Sequence, residues 1–195
     1  MWRLLCLLAA LQFAGAAPIS SGTQLAYDVS NEIFAIVETS CLETARLLQR
    51  VLDDAELLMP PNTQSEILEA FGEFVDLVKQ IDMDDSVQLE LLATDLDYLS
   101  DIFDLKDSAE LDSEADRMVM RLLRQHGIDD FEDMLLDRFD AALKRIEGKV
   151  ESYIGGMSES KLMRRTELLD WFETFKNEKD TLDKLSLLLE SDYIF

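Results

Sequence analysis

Three prolines, seven glycines, two cysteines and one histidine are few for a chain of 195 residues. Each shortage excludes something. So little proline and glycine excludes collagen-like, linker-like and loop-rich designs, which need those residues for turns and extended backbone. Two cysteines exclude a small domain stapled by disulfides. One histidine leaves a closed tetrahedral zinc site short of ligands. Positive charge is scarce as well. Lys and Arg number 18 against 41 Asp and Glu, a formal net charge of −23, and the pI is near 4.2. Phosphate would be repelled over most of such a surface, which argues against a nucleic-acid partner. Apolar residues are not scarce. At 48% of the chain, beside 30% charged residues, they describe a globular protein with enough length for one ordinary core.

The most apolar run stands first. Met1-Trp2-Arg3 precedes Leu4-Leu5-Cys6-Leu7-Leu8-Ala9-Ala10-Leu11, and small residues follow through Ala17. One basic residue, a short apolar stretch and the A-x-A pattern Ala14-Gly15-Ala16 read as a secretory signal peptide. The expected organisation is a signal peptide over 1–16 and a single acidic helical domain over 17–195, with a soft boundary near 107–110. The leading run is shorter than the roughly 20 apolar residues that span a bilayer comfortably. No later segment is apolar enough to do so. The mature chain is therefore expected to be secreted, soluble and extracellular, with no transmembrane anchor. Cleavage would remove Arg3 and Cys6, leaving 17 bases against 41 acids and Cys41 as the one remaining thiol. Asn31, Asn62 and Asn177 all lack the Ser or Thr of a glycosylation sequon.

The rest predicts an all-α fold: about five or six amphipathic helices in a bundle, mostly antiparallel, with no sheet. Between Gln24 and Met59 there is no Gly or Pro, and Val37, Cys41, Ala45, Leu48, Leu52, Ala55 and Met59 recur in steps of three and four. Pro60-Pro61 stops that helix, and Thr63 or Ser65 can cap the next, which carries Ile67, Phe71, Phe74, Val78 and Ile81. Leu89, Leu92, Leu96, Leu99 and Phe103 form a short a/d seam on a third helix. A fourth lies within Ser108 to His126 and stops at Gly127, a good residue for a helix end. A fifth starts near Asp129 and ends at Gly155-Gly156. A last one, capped by Ser158, carries Leu162, Leu169, Phe172, Phe175, Leu182, Leu185 and Leu189, with Asn177-Glu-Lys-Asp as a place to bend or divide. Sustained period-two alternation is absent, which is why no sheet is expected.

Charge is uneven along the chain. Residues 17–110 hold 21 acids and 4 bases; residues 111–195 hold 20 acids and 13 bases. The bases gather at Arg117, Arg121 and Arg124, at Lys144, Arg145 and Lys149, and at Lys161, Arg164 and Arg165. Solvated pairing with nearby acids explains most such residues. The other reading is a basic interaction patch of Arg117, Arg121, Arg124, Arg164 and Arg165 facing the acidic half of another copy, or an anionic lipid or receptor. The acids Asp82, Asp84, Asp85, Asp97, Asp101 and Asp104 suit a hard cation such as calcium. An EF-hand register fails, since neither Asp82 nor Asp95 is followed by Gly at the sixth position. Low-affinity cation binding is what remains for them, and no metal or other cofactor is expected. Cys41 lies on the apolar face of the first helix, as a small core hydrophobe or as the donor of an intermolecular disulfide. The pairs Lys144-Arg145 and Arg164-Arg165 resemble processing sites, but both fall inside predicted helices, which protect them. Trp171, Phe172 and Phe175 read as core.

No pairing of acid, base and nucleophile is visible, so no enzymatic activity is expected. The expected function is protein–protein interaction in the extracellular space, with a protein partner or by self-association. A carrier of a lipid or other apolar ligand is the first alternative, because the apolar stripes are rich. An acidic matrix protein that meets calcium at low affinity is the second.

Overall fold

The computed structural model describes residues 21–61, 63–82, 85–103, 111 and 113–189. The signal-peptide stretch, the soft boundary near 107–110, Asp84 and Asp104 lie outside them, as do the side chains of Leu89 and Asp97. The described residues form eight helices and no strand. In chain order these are α1 (Ser21–Leu58), α2 (Glu66–Gln80), α3 (Ser86–Phe103), α4 (Glu114–Gln125), α5 (Ile128–Gly155), α6 (Glu159–Leu162), α7 (Thr166–Asn177) and α8 (Thr181–Leu189). The all-helical expectation holds.

α1 organises the molecule. Its 38 residues span about 57 Å at the α-helical rise, and it packs against α2, α3, α4 and α5. A helix covered from several directions must be apolar on more than one stripe. Val37, Cys41, Ala45, Leu48 and Ala55 of the expected stripe are buried, while Leu52 and Met59 are half-buried. A second buried line, Ile36, Ser40, Thr44, Leu47 and Val51, runs beside it. That line is harder to see in the sequence, because Ser40 and Thr44 interrupt it with polar residues.

The helix ends obey local chemistry. Ser65 is the N-cap of α2, its hydroxyl accepting from the Leu68 amide. Ser113 does the same for α4, accepting from Asp116. Gly127 takes φ +81, a left-handed conformation that costs a residue with a Cβ, and turns the chain from α4 into α5. Glycine also ends α5, at Gly155-Gly156.

The C-terminal stretch departs from the expected single helix. It is three helices, α6, α7 and α8, which raises the total to eight. Asn177-Glu-Lys-Asp does divide the chain. Glu178 accepts from the amides of Lys179 and Asp180, and Asp180 then caps α8 through the amides of Leu182 and Asp183. A second break falls at Met163–Arg165, where no Gly or Pro announces it. Trp171 and Phe175 of α7 are buried as expected, together with Leu168, while the expected Leu169 and Phe172 are only half-buried. Trp171 stacks on Phe175 with ring centroids 5.0 Å apart, and its indole N–H donates to the Leu187 carbonyl of α8.

Candidate functional site

The basic residues of the C-terminal half are spread over several elements. Three of them close a seam between α1 and α5. Glu32 receives Arg145 Nε at 2.8 Å and Lys149 Nζ at 3.0 Å. One stretch further along, Glu43 meets Arg46 at 2.9 Å and Arg138 at 3.7 Å. The Glu32 side chain is only 16% exposed. Burial by itself would raise its pKa. The hydrogen bonds and charges of Arg145 and Lys149 outweigh that and hold the carboxyl below its ordinary value. Lys144 turns to Asp140 on its own helix, which raises the pKa of its ammonium. Lys176 of α7 and Lys184 of α8 reach back to Glu151 and Glu147 of α5, at 2.8 and 2.9 Å. The Lys184 ammonium also lies 4.8 Å from the centre of the Phe175 ring, a cation–π arrangement.

The five arginines proposed as a patch split by element. Arg117, Arg121 and Arg124 stand on α4, with Arg121 and Arg124 exposed. Arg117 is half-buried and donates from Nη1 to the Leu111 carbonyl at 2.6 Å, a structural use. Arg164 and Arg165 lie in the turn between α6 and α7, not inside a helix, and both are exposed. Lys144-Arg145, the other dibasic pair, does lie inside a helix.

The acidic candidates are also dispersed. Asp82 and Asp85 frame the start of α3: the Asp82 amide donates to Gln88 Oε1, and Gln88 Nε2 donates to Asp85. Asp101 is exposed near the end of α3. Among the described residues no group of three or more His, Cys, Asp and Glu is placed to hold a metal ion. Cys41 is in no disulfide and has no exposed surface. A disulfide to another chain would require that part of the core to open. His126 at the end of α4 puts Nε2 3.0 Å from Asp54 Oδ2. One turn along from Cys41, the Thr44 hydroxyl is fully buried and has no hydrogen-bond partner among the described residues.

Two open clefts accompany these features. The first, about 560 Å³, lies between the start of α1 and the end of α5, with Gln24, Leu25, Asp28, Lys149, Ser152 and Tyr153 in its wall. The second, about 1090 Å³, lies where α2 and α4 begin. Ser65 and Asp116 hydrogen-bond across it and tie the two helix starts together. Acidic Glu66, Glu69 and Asp116 occupy the electropositive ends of those helices.

Apolar side chains standing in water were not among the expected sites. Leu91 and Tyr98 of α3 are 57% and 59% exposed, two turns apart and hence on one face. Leu57 and Leu58, at the end of α1, are exposed as well. The signal was legible: Leu91 and Tyr98 fall outside the buried seam of Leu92, Leu96, Leu99 and Phe103. Among the described residues no helix is long and apolar enough to cross a membrane. Comparison with protein-family models, curated proteins and solved structures finds no match to this chain.

Proposed function

We infer that this is a secreted, non-enzymatic helical protein that works by binding another protein outside the cell. The observation that carries this reading is the pair Leu91 and Tyr98, held in water on an acidic helix beside exposed Asp95 and Asp101. An aromatic and a leucine on one face, rimmed by charge, have the composition of a recognition surface. Export is supported by the leader pattern of residues 1–17. The helices are best read as a mostly antiparallel bundle of α1 to α5 with α7 and α8 set against the end of α5. In support, Glu32 and Glu43 of α1 meet Arg145 and Arg138 of α5, so one helix ascends as the other descends.

The test is a native mass spectrum, without reductant, of the protein secreted from animal cells, alone and after incubation with the extracellular fluid of its source. The expected result is a protein-sized increment in mass that L91S/Y98S abolishes while helicity is unchanged. A chain that stays monomeric in both conditions sinks the reading. A small-molecule increment that survives L91S/Y98S also sinks it, in favour of a carried apolar ligand.

A further inference from the structure

The turn between α6 and α7 carries a chemistry that the rest of the surface does not. The molecule is strongly acidic, yet Lys161, Arg164 and Arg165 put three bases within five residues, all exposed. Met163 stands beside them at 79% exposure. Two consecutive arginines at an exposed turn match the acidic subsites of endoproteases that select paired basic residues. We propose that Arg164-Arg165 is a proteolytic processing site, cut after Arg165 by an endoprotease of that class. Water adds across the Arg165–Thr166 peptide bond. The carbonyl carbon of Arg165 keeps the new oxygen as a carboxylate, and the nitrogen of Thr166 leaves as an amine. No cofactor or redox partner is consumed.

A protease must bind the chain extended, so the turn has to open first. Here opening is local. The amides of Met163, Arg164 and Arg165 donate to the Glu159, Lys161 and Leu162 carbonyls, and the Arg165 carbonyl accepts from the Leu169 amide of α7, so each is a bond within a single turn and the cut needs the first turn of α7 to fray as well. α6 is four residues long and buries none of them. The next buried side chain is Leu168, beyond the bond to be cut. Segments with few buried contacts are those that open most often in the native state. The other dibasic pair is exposed too, but it sits where opening is not local. Lys144-Arg145 lies inside α5, between buried Leu143 and Ile146, and Arg145 is bonded to Glu32 of α1.

The cut would not shed the C-terminal piece. Leu168, Trp171, Phe175, Leu185 and Leu188 stay buried, and Lys176 and Lys184 stay paired with α5. The product is a nicked but associated chain with two new charged ends. Its identification does not depend on the binding role inferred above, and either reading can fail alone.

The experiment treats the purified, folded protein with a subtilisin-type endoprotease specific for paired basic residues, and follows the products by intact mass. The expected result is one cut, after Arg165, with both pieces co-eluting in native buffer and separating in denaturant. Arg165→Gln should abolish that cut, and Arg145→Gln should leave it unchanged. The urea-unfolded chain serves as the control for intrinsic cleavability. A folded protein that resists while the unfolded chain is cut after Arg165 overturns the proposal, as does a first cut after Arg145.

Discussion

Glu32 shows how one residue can join two helices and tune the response to acid. Its carboxyl is mostly enclosed, which alone would favour the protonated form, but Arg145 and Lys149 each supply a hydrogen bond and a positive charge. The net effect is a pKa below the ordinary 4.5 in the folded chain, a value regained on unfolding. The sign follows from linkage. A group whose pKa is depressed by folding stabilises the fold above its unfolded value, and that contribution vanishes as pH falls through the folded value. Replacing Glu32 with Gln should therefore lower stability at neutral pH. It should also flatten the loss of stability as pH falls from above 4.5 through the lowered folded value, where the wild-type carboxylate becomes protonated. Urea denaturation across that range, on both proteins, reads the difference directly. Parallel curves would mean that Glu32 gains nothing from its two partners.

At the scale of elements, the legible part of the fold is the part governed by local signals. Pro60-Pro61, Ser65 and Gly127 each act within a few residues of themselves, and the helices they bound start or stop where those residues stand, whereas the Ser113 cap of α4 was not expected from the sequence. Gly127 has the clearest requirement, because φ +81 is strained for any side chain. Gly127→Ala meets only ordinary packing, with Asp130 Oδ2 3.8 Å away, so the backbone term is what the substitution measures. The expected loss is about 1 kcal/mol, read as a lower urea midpoint with an unchanged m-value. An unchanged midpoint would show that α5 can start without the left-handed turn. The break between α6 and α7 has no such local mark. Nothing in Lys161–Thr166 forbids a helix. α7 buries Leu168, Trp171 and Phe175 and ties the Trp171 indole to α8, whereas α6 buries nothing, so tertiary packing overrides propensity there. The same packing buries Leu168 more deeply than the expected Leu169 and Phe172. For the same reason the dibasic pair at Arg164-Arg165 reads as helical in the sequence and stands in a turn in the fold. Leu91 and Tyr98 were legible in kind, as apolar residues off the seam, but their exposure depends on which side of α3 stays uncovered, a property of the assembled helices.

Across the whole molecule, opposing electrostatic terms act over different distances. The attractive pairs are short: Glu32 with Arg145 and Lys149, Glu43 with Arg138, and Lys176 and Lys184 with α5. The more exposed of these contribute little, and salt weakens them modestly at contact distance. The repulsive term is the net charge of −23. It sums over many pairs farther apart than the Debye length of about 10 Å at 0.1 M salt, so modest ionic strength removes most of it. Compaction brings these like charges closer together than they are in the unfolded chain, which makes the repulsion a cost of folding. The long-range term should therefore win. Added sodium chloride, from a few millimolar to physiological ionic strength at neutral pH, should raise the urea midpoint and then level off as screening saturates. The levelling is part of the prediction, because a continued rise at high salt would reflect stronger burial of apolar surface instead. A midpoint that falls over the first additions would mean that the paired seam along α5, and not the surplus of acid, sets the electrostatic balance of the fold.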